Sequence, residues 1–303
     1  MRGFATTAGC CILAVGLCQG AASADLVPIK AAPAPIAASI WEWTGFYVGG
    51  HFGAGWARDQ WSAPGLFSAP AADAGIDTAL GPLGGFQVGY NWQFPNLPVV
   101  IGVEGEFSFA GLKGDHGQSS SASTVTNDVE CSGLCNYQTV ANANAEERLS
   151  TKVQDIATIA ARLGITSGPD DRTLWYIKGG AAWAKSNFAT DLHISATACT
   201  NLFISGVFGE PLGCQAFDAT GSGSGANSHW GWTVGTGVEF GLVDNWSAKI
   251  EYDFLDLGRH NIALNVTGSS TEGAFNLARD FSINQQIHTV KVGLNYRFSG
   301  FGH

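Results

Sequence analysis

The sequence predicts an all-β fold: an eight-stranded antiparallel transmembrane β-barrel with short periplasmic turns and long extracellular loops. Three observations predict it. Eight segments alternate apolar and polar residues with period two, the connections between them alternate in length, and charge is scarce while glycine and aromatic residues abound. The 303 residues include 41 Gly, 10 Trp, 18 Phe and 6 Tyr, and only 13% are charged, against roughly 25% in an average soluble domain.

The first segment sets Phe46, Val48, Phe52 and Trp56 on one face against Tyr47, Gly49, His51 and Gly53. Next come Phe86, Val88, Tyr90, Trp92 and Phe94 opposite Gln87, Gly89, Asn91 and Gln93, then Ile101, Val103, Phe107 and Phe109 opposite Gly102, Glu104, Glu106 and Ser108. The fourth is the weakest, with Ala157, Ile159, Ala161 and Leu163 opposite Thr158, Ala160, Arg162 and Gly164. Trp175, Ile177 and Trp183 then face away from Tyr176, Lys178 and Gly180, and Trp232, Val234, Val238 and Phe240 away from Thr233, Gly235, Gly237 and Glu239. Trp246, Ile250, Tyr252 and Phe254 oppose Lys249, Glu251 and Asp253, and the last segment sets Val290, Val292, Leu294, Tyr296 and Phe298 against Lys291, Gly293, Asn295 and Arg297. Each strand thus has one greasy face and one polar, glycine-rich face.

Connections at 95–98, 167–171 and 243–245 are short, whereas 58–79, 114–150, 187–228 and 258–282 are long and polar. Short turns at one rim and long loops at the other are the signature of an outer-membrane barrel. A soluble two-sheet sandwich also alternates, but it places its aromatics inside and abundant charge outside. Here aromatics recur near segment ends, at Trp56, Trp92, Phe94, Trp175, Trp183, Trp232, Trp246 and Phe298, as girdles at two lipid boundaries would require.

Residues 1–24 read as a secretory signal, with Arg2, a short apolar run and an Ala-Ser-Ala end. Residues 25–39 are an Ala/Pro-rich periplasmic linker and 40–303 the barrel domain. The address implied is the outer membrane of a Gram-negative cell. Four cysteines remain past the signal, Cys131, Cys135, Cys199 and Cys214. In an exported chain they favour disulfides, and of the 3 connectivities that four cysteines allow the simplest joins Cys131 to Cys135 and Cys199 to Cys214. A metal held by Cys131 and Cys135 with His116 or His193 is the weaker reading, since no second close pair completes a zinc site.

If the polar face points inward, the lumen holds Glu104, Glu106, Glu239, Glu251 and Asp253 against Arg162, Lys178, Lys249, Lys291 and Arg297. An eight-stranded barrel is just filled by side chains. Balanced charges therefore point to an internal salt-bridge network more than to a wide pore, with a narrow porin-like path, biased to cations by acids such as Glu106, as the other reading. A net charge of −10 and the lack of any basic cluster exclude nucleic acid as a partner. No G-x-S-x-G occurs, and His116, His193, His229 and His260 are scattered through loops, so no catalysis is expected. Adhesion or partner binding through the loops is the further reading, with Gly221 to Gly225 and Ser119 to Ser121 as flexible polar surface.

The stretches WTGFYVGG (43–50), GWTVGTGVEFGLVDNWSAKIEYDFLDLG (231–258) and HTVKVGLNYRF (288–298), with RLGIT from Arg162 and YIKGGAAWA from Tyr176, resemble the alphaproteobacterial outer-membrane immunogenic proteins. This porin-like family includes haemin-binding members. The resemblance spans nearly all of the chain past the signal. It implies an eight-stranded barrel in outer-membrane lipid, porin-like or structural roles and, in some members, haem, for which His116, His193 and His260 are the candidate axial ligands. It also implies recognition by the barrel-assembly machinery through the final strand, with Tyr296 and Phe298 as the assembly signal. Here SGFGH follows Phe298, a departure from the family's usual aromatic terminus that leaves Phe298 or Phe301 as the recognised aromatic.

Overall fold

A computed structural model describes residues 41–63, 72–130, 135–204 and 207–298. The segments expected as signal and linker, Cys131 and its expected pairing with Cys135, and the tail after Phe298 lie outside the described residues. Nine strands form: β1 (Gly45–Ala63), β2 (Ala72–Asp77), β3 (Gly81–Gln93), β4 (Val99–Glu130), β5 (Cys135–Ser167), β6 (Thr173–Ile204), β7 (Val207–Gly241), β8 (Trp246–Ser270) and β9 (Gly273–Phe298). All pairings are antiparallel, in the order β2-β1-β3-β4-β5-β6-β7-β8-β9, and β1 closes onto β9 from Phe46↔Phe298 to Ser62↔Ser282.

The ring has eight places because β2 and β3 share one. β3 pairs with β1 from Gly45 to Gly55, and β2 takes over from Arg58 to Ala63. Thr78 carries the ladder across the break, its N–H donating to Ala57 O at 2.8 Å and its hydroxyl accepting from Ala57 N–H at 2.7 Å. At the narrow rim the turns use Asn96, Asp170, Asp171 and Asp244 at positive φ, the residue types that tolerate the left-handed region best.

The lipid-side faces are as the alternation predicts: Phe52, Phe86, Ile159 and Ile177 stand out from the wall while Tyr47, Gln87, Ala160 and Lys178 are buried within it. On β1 the outward residues from Phe46 to Trp56 span ten positions, about 25 Å at the usual strand rise and tilt. An inner girdle of Phe46, Trp92, Phe94, Trp175, Trp246 and Phe298 and an outer one of Trp56, Trp183, Trp230 and Trp232 bound that band. Among the described residues no helix is long and apolar enough to cross a membrane. The strands do the crossing.

The long connections are the main departure from the sequence reading. Stretches 114–150, 187–228 and 258–282 are mostly strand, since β4 to β7 run for 32, 33, 32 and 35 residues and β8 and β9 for 25 and 26. Ser119 to Ser121 and Gly221 to Gly225, expected as flexible surface, lie inside β4 and β7. Beyond the membrane the outer face meets water, so apolar residues no longer mark it and the alternation fades. The inner face still carries an apolar filling, in layers around Leu112, Val153 and Ile287, then Trp61, Phe188 and Phe281, then Leu192 and Val266.

Between the first two layers sits Asp59, fully buried on β1. Its neighbour Arg58 points outward to an ion pair with Asp77 at 3.0 Å, which places this level in water outside the membrane band. Burial pushes the Asp59 carboxyl up from 3.8 to about 7. Cys199 and Cys214 are register partners near the far end of β6 and β7 and are joined by a disulfide across 15 positions.

Two outcomes follow from these features. Between pH 4 and 7 folded protein retains a proton on Asp59 that unfolded chain has released, so this group's stabilisation is full below pH 4 and lost as pH rises to about 7. Asp59→Asn therefore raises unfolding stability at pH 8 relative to wild type and leaves it nearly equal at pH 4, read by urea titration in lipid vesicles; equal gains at both pH values refute the assignment. Replacing Cys199 and Cys214 by Ser should speed amide exchange in the outer parts of β6 and β7 by roughly 100-fold, matching the ~3 kcal/mol of a 15-residue loop, and leave the membrane band unchanged. Unchanged exchange there refutes it.

Candidate functional site

Inside the membrane band, every place in the ring sends polar side chains to one centre. β4 contributes Glu104 and Glu106, β5 Arg162, β6 Tyr176 and Lys178, β7 Glu239, β8 Ser247, Lys249, Glu251 and Asp253, β9 Lys291 and Asn295, β1 Tyr47 and β3 Gln87. Period two makes this happen, since each of these residues neighbours lipid-facing ones in sequence. Small partners make room: Lys249 lies opposite Gly293, Glu251 opposite Gly237 and Glu104 between Gly89 and Ala160. A methyl group on Gly89 or Gly237 would collide with the rings of Tyr47 and Tyr176 respectively.

The ion pairs interlock. Lys249 Nζ lies 3.0 Å from Glu104, 2.9 Å from Glu106 and 3.3 Å from Glu251. Lys178 reaches Glu106 at 2.8 Å, Glu251 at 2.7 Å and Asp253 at 3.2 Å. Lys291 lies 2.6 Å from Glu106, 3.0 Å from Glu251 and 2.6 Å from Asp253. Arg162 bridges Glu239 at 2.8 Å and Glu104 at 3.4 Å, its guanidinium 3.9 Å above the Tyr176 ring. The hydroxyls of Tyr47 and Tyr176 donate to Glu104 and Glu251 at 2.8 and 2.7 Å, and Ser247 and Asn295 donate to Glu239. Five carboxylates meet four cations, and each carboxylate has at least one cation within 4 Å.

Arg297, expected in this network, is elsewhere. It lies toward the narrow rim with its guanidinium 4.8 Å from the Trp41 ring, because its strand has run past the charged layer by that point. Trp41 and Trp43 are the residues the sequence reading missed. They precede β1, pack with Val100, Leu174 and Tyr176 and stop the periplasmic mouth, held by Trp41 N–H to Asp170 O at 2.9 Å and Trp43 Nε1 to Asp171 O at 2.8 Å. The signal was present as two tryptophans separated by Glu42 just before the first strand.

Among the described residues, the one trio of potential metal ligands is Glu104, Glu106 and Glu251, and lysine ammonium groups occupy the space between them. The histidines considered for haem do not converge. His193 pairs with Asp218 on the outer surface at 3.0 Å, His116 is exposed on β4, and His260 stacks on His229 at 3.3 Å inside the wall. Burial and the His229 ring bring His260 down to about 4. Tyr296 and Phe298 stack edge to face on the lipid side of the last strand, next to Phe46.

Burying ions is costly unless all are paired, so removing one partner should be felt through the whole cluster. Glu106→Ala strips a carboxylate from Lys178, Lys249 and Lys291 at once and is expected to lower stability by about 3–5 kcal/mol, measured by urea unfolding in phospholipid vesicles. A loss under about 1 kcal/mol, the worth of a surface pair, would show that the cluster is not sealed from water.

Comparison with known proteins agrees with this architecture. Residues 24–298 match the family described as outer membrane protein beta-barrel domain. The chain is 32% identical over 297 residues to the 31 kDa outer-membrane immunogenic protein of Brucella melitensis, covering 94% of this chain and 97% of that one, and matches the Brucella suis protein of the same name equally. Among solved structures it is similar to the outer membrane protein OprG of Pseudomonas aeruginosa (10% identity, 86% of this chain and 100% of the other, TM-score 0.37). It is also similar to Ail of Yersinia pestis (14% identity, 84% and 99%, TM-score 0.32). With nearly its whole length matched, the chain belongs to the outer membrane protein beta-barrel domain family and is a protein of the outer membrane.

Proposed function

We propose that this barrel is a closed, non-conducting structural surface protein, one that holds tall β-walls outside the cell and carries out no chemistry. The observation that carries the reading is the filled lumen. Beside Glu106, Ser108, Asp253 and Lys291 the cavity is about 10 Å³, room for about one water. Apolar layers lie above it and Trp41 and Trp43 below. An ion entering would have to break pairs of 2.6–3.0 Å in a medium that offers few replacements.

The same seal argues against catalysis. Ser108 Oγ does lie 2.7 Å from His51 Nε2, a nucleophile and base in contact. Both are buried in the lumen, where no substrate fits. The exposed His193–Asp218 pair has no described hydroxyl or thiol bonded to it.

Purified full chain inserted in a planar bilayer at 100 mV should give no stepwise currents. Regular opening steps, altered in ion preference by Glu104→Gln or Lys291→Gln, would establish the narrow porin-like alternative instead.

A further inference from the structure

Of the chain's seven lysines, Lys178, Lys249 and Lys291 are spent in the lumen. Three others, Lys113, Lys152 and Lys185, share the outer face of β4, β5 and β6. Lys185 follows Trp183 by two residues, and Trp183 faces the exposed Trp230 in the outer girdle. Lys152 pairs with Asn187, two residues further out, and Lys113 lies directly opposite Lys152. At the usual rise and tilt these lysines stand roughly 5 and 10 Å above the girdle. That is the depth of lipid headgroups.

Two like charges directly across a ladder destabilise it, yet neither has a compensating partner. No carboxylate lies within ion-pairing distance of Lys113, Lys152 or Lys185 among the described residues, although Asp155 is the register neighbour of Lys185. The nearby acid Asp115 is committed to Arg148 at 2.7 Å, and Asp191 stands at the far end of the same groove. The groove is about 790 Å³ and adds Ser150, Asn187 and Ser224 to Lys113, Lys152 and Arg148. Bulges in β4 between Phe109 and Leu112 and in β5 between Val153 and Asp155 fall just beyond Lys185 and before Lys113 and Lys152, where they re-aim the side chains that follow. Across the barrel, the outward residues at this height are the neutral Gln60, Asn284 and Gln286, with Arg58 tied to Asp77 at 3.0 Å and the exposed Arg259 opposite Asn284. Among the described residues of this chain of net charge −10, the surface lysines all lie on one flank, within about 5 Å of one another in height.

We propose that this flank binds the phosphate-bearing headgroup of an outer-leaflet glycolipid, Lys113, Lys152 and Lys185 meeting the phosphate oxygens while the acyl chains lie on Trp183, Trp230 and Ile159. Height selects the membrane-borne source over a soluble anion, because a phosphate at the girdle is already concentrated beside the wall.

The test uses folded full chain in zwitterionic detergent micelles, titrated with bisphosphorylated lipid A and with the same lipid A stripped of phosphate, followed by tryptophan fluorescence. The phosphorylated lipid should bind at least 10-fold tighter. The combined K113Q, K152Q and K185Q substitutions should abolish that preference, and K113R, K152R and K185R together should retain it, with the gel mobility of unheated folded protein unchanged in both. Equal binding of the two lipids by wild type overturns the proposal. So does a preference that survives the Gln substitutions, or release of the lipid by inorganic phosphate at tens of millimolar, which would mark a site for free anions.

Discussion

Hydrocarbon offers no partner to a peptide N–H or C=O, and each such group left unpaired costs several kcal/mol. Everything else in this molecule answers to that constraint. The sheet must close, so β1 meets β9 along 17 register pairs. A gap in the second place of the ring is tolerated only where Thr78 restores the missing bonds. Closure on eight places then fixes a narrow interior, and period two decides which residues share it.

That interior explains why a charge-poor chain keeps so many of its ions buried. The five carboxylates and four cations are stable only as a set, since each is shielded from water and each leans on between one and four others. Tyrosine hydroxyls, Ser247 and Asn295 take up remaining acceptors. Above the membrane the same inward positions turn apolar, because walls bathed in water outside need a hydrophobic interior to hold them together.

Much of this was legible in residue order alone. The pairs Phe46 and Tyr47, Ile177 and Lys178, or Ile250 and Glu251 each declare a lipid side and a lumen side within two letters. The outer walls were not legible, because Ser119 to Ser121 and Gly221 to Gly225 carry no apolar face to betray a strand, and what holds them is pairing with neighbours distant in sequence. Arg297 was misplaced because alternation gives the face a side chain takes and not its height along the axis. Lys113 and Lys152 escaped notice for a related reason, as their opposition depends on a register that β4 and β5 set together.

The anchorage of Trp41 and Trp43 has a mechanical consequence. The chain enters the ring at β1, but these two residues are fastened to the carbonyls of Asp170 and Asp171, at the turn between β5 and β6 on the other side of the opening. Tension applied to whatever precedes them is thus delivered first across the diameter, to a turn bonded on both flanks. The seam between first and last strand is spared the load.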